Sequence, residues 1–375
     1  MNKRSQRTLI VTGSLLVSAV AVAFFAYRVA GHRQEVWMTL RSAGGGYLAL
    51  SVALLAVLYL LRIVRWRLFL RHIADIRWLS LTSATLIGFT ANNILPARLG
   101  ELIRPYLLSK REKVSMGHAL GSIGLARLFD LIGLSLLLIL TWFILSLGGT
   151  HQLQHDDNPP PETASETVSA DVSNETVVNE KHNTGMLDNI WKAGIVVTAM
   201  AAAGTIILLL VALYPSPVLR VAEFCAQILP GSWRSRAVHL VHSLTETMGF
   251  LKDWRGVTGG VALSAGVWLF QGLSTWAVAE ALGLSIGPAG AFLAVIAVCA
   301  AVAVPQGPGF LGTFHLAASL VAEAFHTPVG QAAAFAMLMW VINIIPVTLA
   351  GLVFLVYEGA GLRRLSAESQ SEKED

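Results

Sequence analysis

Six apolar runs dominate this sequence, at residues 8–30, 44–61, 118–147, 190–214, 257–282 and 331–357. At 1.5 Å of rise per residue, a helix over each one crosses roughly 30 Å of hydrocarbon. Inside hydrocarbon every backbone amide must be satisfied within the protein, so runs of this length are read as membrane helices. Charge content agrees. Only 13% of the residues are charged, against about 25% in a soluble domain, and mean hydropathy is +0.62. A disordered chain is excluded by the 54% hydrophobic content, and a disulfide scaffold by having only Cys225 and Cys299. The first run follows Lys3, Arg4 and Arg7 and exceeds the 7–15 apolar residues usual in a signal peptide, which predicts an uncleaved signal-anchor. The expected fold is all-α, a polytopic integral membrane protein.

Charge is sorted along the chain. Residues 150–188 hold eight acids and one lysine, a net −7, while the whole chain is +4, so the remainder carries +11. Basic residues cluster at the N-terminus, at Arg62, Arg65, Arg67, Arg71 and Arg77, at Arg98–Lys113, across 215–256, and at Arg363 and Arg364. By the positive-inside rule these flanks are expected to be cytoplasmic, which places both termini there, and a plasma-membrane location is expected. The acidic stretch, rich in Pro, Ser, Thr, Asn and Glu, reads as an external disordered loop.

Two further apolar stretches, Leu79–Pro96 and Ile286–Pro305, run into Pro/Gly breaks. Proline removes a backbone donor and glycine weakens a helix, so both predict broken helices whose freed groups line protein or a wet cavity. The charge flanks are consistent only if both segments re-enter the side they left. The chain then divides into a first half at 1–147, the acidic loop at 148–189, a second half at 190–357 and a cytoplasmic tail at 358–375. Each half has two spans, one broken hairpin and one span, in opposite orientation. Such an inverted repeat marks transporters with a site near the midplane.

The sharpest cluster is Asn92, Asn93, Pro96, Arg98, Gly100, Glu101 and Arg104. Pro96 ends a helix and Gly100 permits close backbone approach. Arg98 and Arg104 offer planar donor forks that match phosphate oxygens, and the helix restarting near Gly100 points its positive end at them. Glu101 is placed to clamp either arginine. Arg127 and Asp130 lie three apart on one helix face, about nine residues or roughly 13 Å into the span. A charge there costs about 2.5–3.5 kcal/mol, so the pair faces protein, either as a structural ion pair or as part of a path. The second break offers Pro305, Gln306, Gly307, Pro308, Gly309, Gly312 and Thr313, with backbone amides and hinges rather than charge. Gln271, Glu280, His315, Glu323 and Asn343 are further intramembrane polar residues. No metal or other cofactor is expected: His151 and His155 sit in the acidic loop. No Gly-x-x-x-x-Gly-Lys loop for ATP and no nucleophile-plus-base set is visible.

The segments NNILPARLGELIRPYLL, ARLFD and VPQGPGFLGTFHLAASLVAEA resemble the membrane domain of bacterial lysylphosphatidylglycerol synthase/flippase proteins, which also stands alone in flippase-like proteins. The resemblance covers nearly all of the chain outside 150–188. It implies a lipid-translocating fold with paired re-entrant elements. It also makes Asn93, Pro96, Arg98, Gly100, Glu101, Arg104, Arg127, Asp130, Pro305, Pro308, Gly309 and Gly312 motif positions. Two positions depart from the family: Ala126 stands where an acid is frequent, and His315 where Glu is frequent. The family's soluble aminoacyl-transferring domain has no counterpart after Tyr357, so lysylphosphatidylglycerol synthesis is not expected.

The function expected is a flippase or transporter of an anionic lipid or lipid-linked intermediate, acting in the bilayer without nucleic acid. The head-group phosphate would sit near Arg98, Arg104 and Arg127. Phospholipid, aminoacylated phospholipid, polyprenyl-phosphate sugar and hopanoid-type lipids all fit that description. Two alternatives stand beside it: a non-transporting membrane partner of a glycosyltransferase or lipid-modifying enzyme, and an intramembrane lipid transferase or phosphatase.

Overall fold

The computed structural model describes residues 3–95, 99–112, 114–147, 242–243, 246–247, 249–303 and 307–371, with side chains described between 16 and 359. Among these residues all regular structure is helical: α1 (Lys3–Val29), α2 (Arg33–Arg41), α3 (Gly45–Leu70), α4 (Trp78–Ile94), α5 (Gly100–Glu112), α6 (Met116–Leu147), α7 (Trp254–Ala281), α8 (Gly287–Ala301), α9 (Thr313–Ala324) and α10 (Val329–Ser371). Among the described residues, four helices are long and apolar enough to cross a membrane: α3, α6, α7 and the Val329–Gly359 part of α10. Their outer faces carry exposed Leu60, Ile139, Phe143, Leu349 and Val353, apolar surface that a bilayer covers. The predicted span at 8–30 falls almost wholly within α1. The one at 190–214 and the acidic loop lie outside the described residues.

The second span is longer than expected. The sequence reading ends it at residue 61, before a run of arginines, but α3 continues to Leu70. Arginine is a good helix former, and Ile63, Trp66, Phe69 and Leu70 are buried in cores built with α5, α6 and the 3-10 turn at Gly249–Lys252. Tertiary packing therefore carries the helix past its charges.

α3 and α7 form the central pair, antiparallel and closely packed. The Gly44 amide donates to Ala281 O at 2.7 Å, and the Ser51 and Ser274 hydroxyls meet at 2.9 Å. Small residues let the two backbones approach and exchange hydrogen bonds, as membrane helices do without a hydrophobic drive between them.

Both broken segments are helical hairpins. In α4–α5, Ser80 and Arg77 meet Glu112, Ser83 meets Arg111, Gly88 faces Arg104, and Asn92 faces Gly100. In α8–α9, Gly290 faces the Phe325 ring at the open end, and the break falls between Ala301 and Thr313. The hairpins enter the bundle from opposite ends. The α4–α5 ends lie beside the end of α10, through Arg111 and Glu358. The α8–α9 ends lie beside the end of α1 and the start of α10: Arg28 pairs with Glu323 at 2.6 Å, and Glu35 lies against Gly330. The tips meet inside, where Gly309 approaches the Asn93 carbonyl. α4 lies on α10 and α5 on α6, while α8 lies on α6 and α9 on α10. Exchanging the two halves of the chain maps one set of contacts onto the other.

α1 runs along the second hairpin. Ser18 Oγ accepts from the Gly307 amide at 2.8 Å, Ala21 and Val22 lie against Gly312, Phe25 packs 5.2 Å from the His315 ring, and Arg28 holds Glu323. These residues recur every three or four positions, so one face of α1 covers the break and the outer arm.

Candidate functional site

Four arginines from three helices converge between α3, α5 and α6: Arg62 and Arg65 on α3, Arg104 on α5 and Arg127 on α6. Two acids stand with them. Asp130 accepts from Arg65 Nη2 at 2.7 Å and lies 3.7 Å from Arg127 Nη1. Glu101 accepts from Arg127. Arg65 also donates to Ser264 Oγ of α7 at 2.7 Å, which ties the cluster to the central helix pair.

Arg104 is held differently. Its stem crosses α4 at Gly88, where a Cβ would lie 1.9 Å from Arg104 Cγ. A Cβ at Gly100 would lie 1.9 Å from the Gly88 carbonyl. Glycine at both positions is what lets α4 and α5 close and lays Arg104 inward. Its guanidinium sits 4.6 Å from the Trp66 ring centre and 5.1 Å from that of Phe89. Arg62 lies 5.0 Å from the same Phe89 ring. Aromatic faces attract cations, by about 2 kcal/mol where water is excluded.

The cluster is over-supplied with positive charge. Arg65 is 3% and Arg104 8% exposed, and the Nε groups of Arg62, Arg65 and Arg104 are buried without a hydrogen-bond partner. Unpaired buried charge costs several kcal/mol per ion, so fold stability alone does not account for three inward arginines against Asp130. The free space between them is about 10 Å³, room for one water molecule. None of the lining side chains carries a hydroxyl, thiol or imidazole. The set is a collection of charge-assisted donors, suited to gripping an anion with several oxygens.

The predicted residues distribute unevenly around this centre. Arg104, Arg127, Asp130 and Glu101 come together as expected, although Glu101 clamps Arg127 rather than Arg104. Asn92 has a buried, unpartnered Oδ1 beside Gly100. Asn93 instead donates to Thr348 Oγ1 of α10 at 2.9 Å. Pro96, Arg98, Pro305 and Gln306 lie outside the described residues.

The second break is engaged internally. Trp340 Nε1 donates to the Gly309 carbonyl at 2.7 Å, and Ser18 takes the Gly307 amide. Pro308 opens the 3-10 turn Pro308–Phe310, Gly309 and Gly312 have φ of 68° and 88°, and Thr313 starts α9 with its hydroxyl toward Phe310 O. Of the remaining intramembrane polar residues, Gln271 donates to Asn343 at 2.9 Å, and His315 is packed among Phe25, Phe314 and Trp340.

Arg62, Arg65, Trp66 and Phe89 are the site residues that sequence reasoning missed. In sequence, Arg62 and Arg65 read as cytoplasmic flank. One signal was available: they stand three apart, on one face of a helix whose apolar residues continue beyond them.

Comparison with known proteins agrees with the fold. The match to the family described as lysylphosphatidylglycerol synthase TM region covers residues 11–152 and 182–351. A curated relative, glycosyltransferase AglD of Haloferax volcanii, is 25% identical over 340 residues, covering 89% of this chain and 51% of that protein. The chain therefore spans about half the length of that relative. No solved structure matches it. Four helices able to cross a membrane, hairpins broken where the motifs fall, and a family match over most of the chain lead to one conclusion: this multi-pass membrane protein belongs to the lysylphosphatidylglycerol synthase TM-region family.

Proposed function

We propose that the chain is a lipid transporter that moves an anionic lipid or lipid-linked intermediate across the plasma membrane. The observation that carries this reading is the inward surplus of arginine: Arg62, Arg65 and Arg104 against Asp130, inside the helical bundle. The head-group anion binds there while the acyl chains stay in the bilayer. Space for one water is too little for a head group, so the site opens as the α4–α5 hairpin moves from α6, breaking the Glu101–Arg127 contact. The α8–α9 hairpin opens from the other end, and the two gates alternate. Residues 1–147 and 190–357 act as the two inverted halves, with re-entrant hairpins and both termini cytoplasmic. Transport of this kind leaves the lipid covalently unchanged and draws on no ATP hydrolysis by this chain.

Purified protein in liposomes tests this with a fluorescent anionic phospholipid and a quencher outside. Protein-dependent exchange between leaflets, with lipid mass unchanged, is expected. A changed lipid mass after incubation points to transferase or phosphatase chemistry instead. The name of the Haloferax relative favours a second reading, a membrane partner of a glycosyltransferase. It predicts co-purification with such an enzyme and no lipid exchange.

A further inference from the structure

We infer that the arginine cluster is built for a head group bearing at least two negative charges at one end, a phosphomonoester or a diphosphate, rather than a phosphodiester. This rests on the anionic-lipid reading and narrows it. Among the described residues the inner set is Arg65 and Arg104, both buried, and Arg62, whose Nε is buried, against Asp130, a surplus of two positive charges. The outer residues, Arg127 and Glu101, are 43% and 30% exposed and together carry no net charge. Leaving charge unbalanced in a water-poor interior costs several kcal/mol per ion. A phosphodiester brings one negative charge and leaves one arginine uncompensated. A zwitterionic head group brings no net charge and leaves the surplus of two. A dianion closes the balance.

The donors fit as well. Arg65 already spends its Nη groups on Asp130 and Ser264. Arg62 and Arg104 have no carboxylate partner among the described residues and are held beside one ring, that of Phe89. Two planar forks at one ring present donors enough to engage all three oxygens of a terminal phosphate, where a phosphodiester offers two.

Native mass spectrometry of the purified full chain tests this at about pH 8, where a phosphomonoester is doubly ionised. The probes are phosphatidic acid, phosphatidylglycerol and phosphatidylcholine with identical acyl chains, farnesyl diphosphate, and inorganic phosphate and pyrophosphate. Phosphatidic acid and farnesyl diphosphate should bind at least about tenfold more tightly than phosphatidylglycerol, the gain of one charge-assisted contact. Phosphatidylcholine should bind weakest. Arg104→Ala should erase the preference, and Arg104→Lys, which keeps the charge without the fork, should retain part of it. Arg67→Ala, outside the cluster, should match the parent. Thermal melting of each variant separates lost binding from lost fold.

Equal binding of phosphatidic acid and phosphatidylglycerol, both dependent on Arg104, would overturn the dianion inference and leave the anionic-lipid reading standing. Pyrophosphate binding as tightly as farnesyl diphosphate would uphold the charge balance and contradict the lipid reading. Absence of any Arg104-dependent anion binding would overturn both.

Discussion

Arg65 reaches across from α3 to Asp130 of α6 at 2.7 Å, with side chains only 4% and 13% exposed. The contact joins residues 65 positions apart and anchors the arginine cluster. Removing one member of a buried pair strands the other. Asp130→Ala is expected to cost about 3–5 kcal/mol, whereas replacing both with apolar residues of similar volume, as in Arg65→Met with Asp130→Leu, should cost much less. A double-mutant cycle of unfolding in mixed micelles checks this. Additive losses would mean the pair is not coupled.

Gly88 predicts a steric effect with a binding consequence. A Cβ there meets the middle of the Arg104 stem, which is pinned between Trp66 and Phe89. Gly88→Ala should cost about 1–3 kcal/mol and displace the guanidinium, lowering anion binding with it. Gly259→Ala, whose nearest neighbour would be Leu68 Cδ2 at 3.4 Å, should leave both nearly unchanged. Melting temperature and binding of a dianionic lipid are the paired readouts.

The contact of α1 with the second hairpin predicts a local change. Arg28→Ala removes the Glu323 partner at the outer end. The pair is partly exposed, so the global cost should be below about 1 kcal/mol. Hydrogen exchange at 307–316 should nevertheless speed up, because α1 covers that break, while exchange at 99–112 stays as it was.

Opposed hairpins predict opposed labelling. In a chain without Cys225 and Cys299, cysteines at exposed Arg77 and Lys110 should both react from one side of the membrane, and one at exposed His326 from the other. Labelling of all three from a single side would contradict the two-gate arrangement.

Four of the six spans, at 44–61, 118–147, 257–282 and 331–357, were legible because apolar run length maps directly onto hydrocarbon thickness. The two helix breaks were legible because Pro96, Gly100, Pro305 and Gly309 interrupt apolar stretches that otherwise read as helices. Half of the arginine cluster was not. Arginine just past an apolar run looks the same in sequence whether it reaches back to the interface or turns inward. Arg65 turns inward because Ser264, 199 residues away, and Asp130 receive it. The Arg127–Asp130 spacing was readable as one helix face, yet the closer partner of Asp130 lies on another helix. Local periodicity gives faces, and the partners that decide burial come from elsewhere in the chain.

The central claim is that the inward arginines carry an anionic lipid across the membrane. Leaflet exchange of a fluorescent anionic lipid in liposomes, compared between the parent chain and an equally folded Arg104→Ala variant, tests it most directly. Protein-dependent exchange is expected in the parent, with a fall of at least about tenfold in the variant, the loss of one charge-assisted grip. Exchange by Arg104→Ala at the parent rate would contradict it.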